Sequence, residues 1–273
     1  MAGDFRRWLR AALAFEPLHL PGPRASLPNA ELAGSDLCGA DLHASDLTGA
    51  SLFGARLHGA DLRAAIMTDT NLCGAQLRRA DLSDARLADA NLYGADLSGA
   101  NLMRAQLYNA HLAAARLDSA RLADSDLRYA LLTGAAMDDA DLSRARLSEA
   151  VLARTTLRRA RLGRADLAGA FASAVDFTGA DLTGSTLDRA CLRDATLVGG
   201  DFTAASLAHA DLTDADLTGA RLDGAYLMGV TWSLRTGWPA PLYMDIRTRS
   251  EEVLPGVFRI VGAESRLGEL TPV

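Results

Sequence analysis

From Leu27 to Leu227 an apolar residue, nearly always Leu, returns at every fifth position, and the residue two before it is nearly always Ala. Forty consecutive pentads run from Ala30 to Gly229 without an insertion or deletion. The central position is Leu in 35 of them, the departures being Met67, Met137, Ala172, Phe177 and Phe202. The small position is Ala in 32, with Ser35, Ser45, Thr70, Ser125, Thr155, Val175, Ser185 and Gly200 as replacements. A fixed period of this kind predicts a repeat architecture. Five residues turn an α-helix through about 500°, so the Leu residues would spiral over every face. A strand needs a period of two, which five does not sustain. The pattern fits a coil in which each pentad forms one short side and then turns a corner. Ala and Leu, two apart, point inward; the residues flanking Leu point outward. The Gly, Asp, Asn, Arg and Ala that follow fall at or near the corner, where Gly, Asp and Asn favour turns.

Such A(D/N)Lxx units, as in ANLYGADLSGA from Ala90 and ADLTDADLTGA from Ala210, resemble the pentapeptide-repeat protein family over about three quarters of the chain. The resemblance, which takes in the well-characterised MfpA and Qnr types, implies an all-β fold: a right-handed quadrilateral parallel β-helix (solenoid) with four pentads per coil. On that reading 200 residues give ten coils and a rod roughly 48 Å long. The expected organisation is an N-terminal capping segment (1–24), the β-helix (25–234) and a C-terminal cap or tail (235–273). Leu should stack on Leu and Ala on Ala along the interior. Ala172 breaks the Leu column, and Phe177 and Phe202 are the expected fillers of the missing volume.

Both rod ends need covering, because an open coil exposes apolar core and unpaired backbone. Residues 4–15 are predicted to form a short amphipathic helix, with Phe5, Trp8, Leu9, Ala12 and Leu13 at helical spacing and Asp4 as N-cap. Arg6 and Arg7 faintly suggest a twin-arginine signal, but the AALAF stretch after them is too short for one. At the other end Trp232 and Trp238 are expected to cover the last coil. Ser250–Leu254 is predicted as a helical turn and Val257–Val261 as a strand bounded by Gly256 and Gly262.

With 20 residues per coil, positions 20 apart share a face. Leu131, Val151, Phe171 and Cys191 then form an apolar column where Asp or Asn is usual, and Phe53, Cys73 and Tyr93 continue the stripe. Contiguous exposed apolar surface marks an interface. Phe53, Tyr93, Leu131, Val151 and Phe171 are therefore candidate partner-binding or self-association residues. Cover by the C-terminal tail within one chain is the alternative.

The formal net charge is −6, carried by 34 acids against 28 Arg, with no Lys. This balance disfavours direct nucleic-acid binding. Asp166–Asp223 has a net charge of −7, and Arg144–Arg164 forms a belt of +6. The family resemblance implies a DNA mimic that presents carboxylates to DNA gyrase or topoisomerase IV, modulating the enzyme or protecting it from toxins or quinolones. On that reading Asp181, Asp201, Asp211, Asp214, Asp216 and Asp223 contact the partner. A structural alternative is that Asp before Leu accepts hydrogen bonds from turn amides. Five scattered His and three unpaired Cys (Cys38, Cys73, Cys191) give no catalytic grouping, metal-ligand spacing or disulfide framework. A non-catalytic, cofactor-free cytoplasmic protein is expected, either a topoisomerase modulator or a protein-interaction scaffold, with a homodimer as a further possibility. No segment approaches the length of a membrane-spanning helix.

Overall fold

The structure, a computed structural model, describes residues 22–261. The helix expected over residues 4–15 lies outside the described residues, as does Gly262. Within them the pentads form a solenoid whose consecutive turns are joined by parallel bridges 20 residues apart, beginning Ser26–Asp46, Glu31–Ser51 and Asp36–Arg56. Each side of the coil contributes one bridged residue followed by a turn, so extended strands do not form within the repeat.

The five-residue length follows from an almost complete accounting of backbone donors. We term the residue before the central Leu leading and the one after it trailing; the corner residue and the small residue follow. In the pentad around Leu52, the leading amide of Ser51 donates to Ala30 O (2.9 Å) in the coil before. The amides of Leu52 and Gly54 donate to Asn71 O (2.7 Å) and Cys73 O (2.9 Å) in the coil after. The small residue closes the corner, Ala55 N donating to Leu52 O at 3.0 Å. Only the trailing amide lacks a backbone acceptor. Where the leading residue is Asp or Asn its Oδ1 fills that role, as in Thr48 N to Asp46 (3.0 Å), Cys73 N to Asn71 (3.1 Å) and Thr183 N to Asp181 (3.0 Å). The recurring Asp before Leu is thus a backbone-satisfying device, since a main-chain donor left without a partner is costly.

The corner residue takes positive φ throughout, from +73° at Gly229 to +52° at Ala64. Together with the Leu carbonyl bond three residues on, this matches a type II turn. Gly occupies many corners at no steric cost, whereas Asp, Asn, Arg and Ala tolerate the strain at others.

The core is a continuous stack of Leu and Ala, most of them wholly shielded from solvent. Four polar residues at the small position are buried and bond to carbonyls: Thr70 Oγ1 to Leu47 O (2.9 Å), Ser125 Oγ to Leu122 O (2.7 Å), Thr155 Oγ1 to Leu132 O (2.8 Å) and Ser185 Oγ to Leu182 O (2.7 Å); the Oγ of Ser45 is buried without a partner. Ala172, Phe177 and Phe202 are all buried. A methyl group on Gly200 would sit 2.9 Å from Phe202 Cε2 and 3.2 Å from Leu197 O. The absence of Ala at this one small position therefore makes room for the Phe202 ring.

The repeat ends at Thr231, where the chain changes architecture. Strand β1 (Thr231–Ser233) keeps the coil bridge Asp211–Thr231, then starts an antiparallel sheet of order β1-β3-β2 with β2 (Ser250–Leu254) and β3 (Val257–Ile260). The next bridge, Asp216–Gly237, spans 21 residues and marks the first break in register. A six-residue helix, α1 (Tyr243–Thr248), lies between β1 and β2. Ser250–Leu254 is a strand, not the predicted helical turn: it pairs with β3 across the Pro255–Gly256 turn, and Gly256 takes φ of +73°. Pairing with β3 outweighs the local helical preference of Glu251 and Glu252. Trp232 is fully buried and packs edge-on against Trp238 (centroids 6.1 Å) and at 4.8 Å from Phe258. Its Nε1 donates to Ser250 Oγ at 2.9 Å.

Gly200→Ala should destabilise the rod by about 1–3 kcal/mol through overpacking. Adding Phe202→Leu should recover most of the loss of melting temperature. An unchanged melting temperature in Gly200→Ala would show that the ring does not fill the small position.

Candidate protein-docking face

The pentads centred on Leu52, Leu72, Leu92, Leu112, Leu132, Leu152 and Ala172 stack on one side of the rod, their leading residues joined by the bridges from Ser51 to Phe171. The structure brings all five predicted stripe residues onto this side. Phe53 (55%), Tyr93 (49%), Leu131 (39%) and Phe171 (53%) are exposed, and Val151 is half-buried. The described part of the C-terminal tail caps the rod end and leaves these residues open. Tyr93 rests against His111 with ring centroids 5.8 Å apart.

The charge distribution sets this face apart. Between Ser51 and Ala174 the chain has 30 Asp, Glu and Arg residues, and Arg154 is the one placed in these seven pentads. The other 29 lie on the remaining sides. The corners here are Gly54, Gly74, Gly94, Ala114, Gly134, Arg154 and Ala174, so apart from Arg154 the rim stays low; a Cβ on any of the four glycines would meet nothing within 4 Å. Leu131, Val151 and Phe171 have no oxygen to offer the trailing amides of Thr133, Ala153 and Ser173. Three successive coils thus forgo the turn-supporting Asp in favour of exposed apolar groups. Depletion of charge with retained aromatics is the composition of an interface core.

The acidic candidates are distributed differently. Asp181 and Asp201 stack in one column, flanked by Arg161 and Arg221, and Asp223 lies on the same side. Asp211 and Asp214 lie two pentads further round, and Asp216 three. The structure does not bring the six together. Asp181, Asp201, Asp211 and Asp216 each accept a turn amide, from Thr183, Thr203, Thr213 and Thr218. Asp211 also accepts from Arg193 Nε (2.5 Å), Asp201 lies 3.3 Å from Arg221, and Asp214 accepts from Ser233 Oγ (2.5 Å). Burial works to raise the Asp211 carboxyl, but the hydrogen bonds from Thr213 and Arg193 outweigh it and hold it below the ordinary range.

In the basic belt, Arg144 pairs with Asp124, Arg146 with Asp126, Arg158 with Asp176 and Arg159 with Asp139. Much of its charge is spent within the rod, where exposed pairs contribute little each. Residues missed in the sequence are Asp41, His43 and Asp61, whose side chains converge closely enough to hold a cation. The signal is an Asp and His two apart with a second Asp 20 on. Here His43 Nδ1 donates to Asp41 (2.7 Å) and Arg63 binds Asp61 through two bonds (2.8 and 2.5 Å), so both carboxylates already have donors within the protein.

The carboxyls of Asp96, Asp126, Asp176 and Asp211 are all lowered, burial being outweighed by hydroxyl, amide and guanidinium donors. A folded value below the unfolded one stabilises above the unfolded value, and that contribution is lost as pH falls through the folded value. Melting temperature should stay flat from pH 7 to about 5, then fall progressively toward about pH 2. Asp176→Asn retains an acceptor for Thr178 but loses the charge facing Arg158, and should weaken the acid dependence. A melting temperature that rises on acidification would contradict this assignment.

Comparison with known proteins fits the geometry. The model of the pentapeptide repeats family matches in eight copies spanning residues 24–231. HetL, a pentapeptide repeat protein involved in heterocyst differentiation regulation from the cyanobacterium Nostoc sp. strain PCC 7120, is 31% identical, with 85% of this chain and 97% of HetL covered and a TM-score of 0.40. QnrB1, a plasmid-mediated fluoroquinolone resistance protein, is 21% identical over 74% of this chain and 94% of its own, with a TM-score of 0.41. A pentapeptide repeat protein of the Arabidopsis thaliana thylakoid lumen is 26% identical over 44% of this chain and 70% of its own, with a TM-score of 0.19. No curated protein matches the chain. With the family's repeat filling residues 24–231, this chain belongs to the pentapeptide repeat family.

Proposed function

We propose that this protein is a non-catalytic rod of about ten right-handed coils that acts by binding protein through the face from Phe53 to Phe171. The observation that supports this reading is the single charge, Arg154, among the seven stacked pentads, against 29 on the other sides of the same length of rod. Three free thiols suit a reducing cytoplasm. No helix among the described residues is long and apolar enough to cross a membrane.

Binding through an apolar face should vary little with salt. A photo-crosslinking residue at Ala153 should capture a protein in the native host, whereas the same residue at Ser143, on another side, should not. Val151→Asp should lower that capture at least tenfold, the size of effect expected at an interface centre. Equal capture at the two positions, or capture indifferent to Val151→Asp, would defeat the reading.

A second reading rests on the acidic end of the rod, where Asp181 and Asp223 are exposed. There the protein would mimic DNA toward gyrase or topoisomerase IV, with QnrB1-like protection from quinolones or toxins. Attraction of that kind weakens steeply with salt. Purified protein should then alter gyrase supercoiling at low salt and lose the effect at high salt, and Asp181→Arg with Asp223→Arg should abolish it. No effect over a wide excess would leave the apolar face as the account of function.

A further inference from the structure

We infer that this charge-poor face binds a second copy of this chain, the two rods packing antiparallel about a two-fold axis that crosses the pentad of Leu112. The inference rests on reading this face as a docking surface, and it names the occupant.

The bulky side chains change position at that pentad. On its N-terminal side Phe53, Cys73 and Tyr93 are trailing residues, and the leading ones are Ser51, Asn71 and Asn91. On its C-terminal side Leu131, Val151 and Phe171 are leading residues, and the trailing ones are Thr133, Ala153 and Ser173. Leu112 itself is flanked by His111 and Ala113. An axis in the interface, running across the rod, places leading against leading and trailing against trailing, at equal distances either side of the centre. Phe53 then covers Ser173, Cys73 covers Ala153, and Tyr93 covers Thr133. Phe171, Val151 and Leu131 cover Ser51, Asn71 and Asn91. Each of these six contacts sets a larger side chain over a smaller one and is made twice by the two-fold symmetry, while at the axis His111 and Ala113 each meet their own copy.

Charge selects the antiparallel arrangement. Arg154 meets the open corner at Gly74. At each end of the patch Glu31 falls over Cys191, and Arg193, already bound to Asp211, falls over Ala33. Parallel rods would instead bring Asp194, Asp211 and Asp214 close to their own copies. The contact spans six coil steps, roughly 29 Å, by about 10 Å across three outward residues. That is well short of the ~800 Å² per partner typical of stable complexes, so the dimer is weak and reversible.

Sedimentation of the full chain tests this directly. The weight-average mass should rise from one chain toward two between about 1 and 300 µM, with little change at 0.5 M salt. Phe171→Asp and Val151→Asp, each with a wild-type melting curve, should stay monomeric. To test the register, Ala153→Cys in a Cys38→Ser, Cys191→Ser background should link to the partner's Cys73 through a short bismaleimide; the background alone should not. A monomer at all concentrations, or a dimer unaffected by Phe171→Asp, overturns the proposal, and a dimer without the Ala153→Cys crosslink overturns its register. A monomeric protein that still captures a different protein through Ala153 would defeat the dimer alone. Loss of that capture as well would defeat the docking reading beneath it.

Discussion

One constraint shapes this molecule: the backbone donors of each five-residue side need acceptors, most of which lie in the coils before and after. The leading, central and corner amides bond to neighbouring coils, and the small residue bonds back across its own turn. That leaves the trailing amide, which only a side chain can satisfy. The inward requirements are as strict, because Leu must stack on Leu and Ala on Ala with no room to spare. The conflict at Gly200 and Phe202 shows how little volume the coil interior can exchange. Stability is therefore local and additive along the rod, each coil supporting the next.

From this constraint comes a way to separate structure from function on the surface. An Asp before Leu has a fold-based reason to exist, and so carries little information about partners. That reason covers Asp181, Asp201, Asp211 and Asp216. A Leu, Val or Phe in the same position works against the backbone, since it leaves the trailing amide to solvent and exposes apolar surface. Leu131, Val151 and Phe171 do so in three successive coils. Departures from local consistency are where functional demands show. The exposed column and the scarcity of charge around it, Arg154 alone, are what the proposed docking role rests on.

The repeat made most of the fold legible. The inward Ala and Leu, the outward flanking residues and the corner at Gly, Asp, Arg or Ala all follow from the period alone. The apolar stripe was also visible once residues 20 apart were aligned. What escaped was set by contacts remote in sequence. Ser250–Leu254 has helix-compatible residues, while its pairing with β3 as strand β2 depends on the turn at Gly256. Helix α1 had too few residues to show a period. The Asp41, His43 and Asp61 cluster joins neighbouring coils, and the reason for Gly200 lies in the rotamer of Phe202. The extent of the charge-poor face also needs the coils in register, because Arg154 is surrounded in sequence by Arg144, Arg146, Arg158 and Arg159.

Hydrogen exchange at the trailing amides tests the central claim most directly, since it reads the docking face and the backbone accounting together. In dilute protein, the amides of Thr133, Ala153 and Ser173 should exchange much faster than those of Thr178, Thr183 and Thr213, whose leading Asp accepts them. With the face occupied, protection should appear at Thr133, Ala153 and Ser173 and leave the other sides unchanged. Equal exchange at the two sets in dilute protein, or protection spread evenly around the rod, would contradict the account.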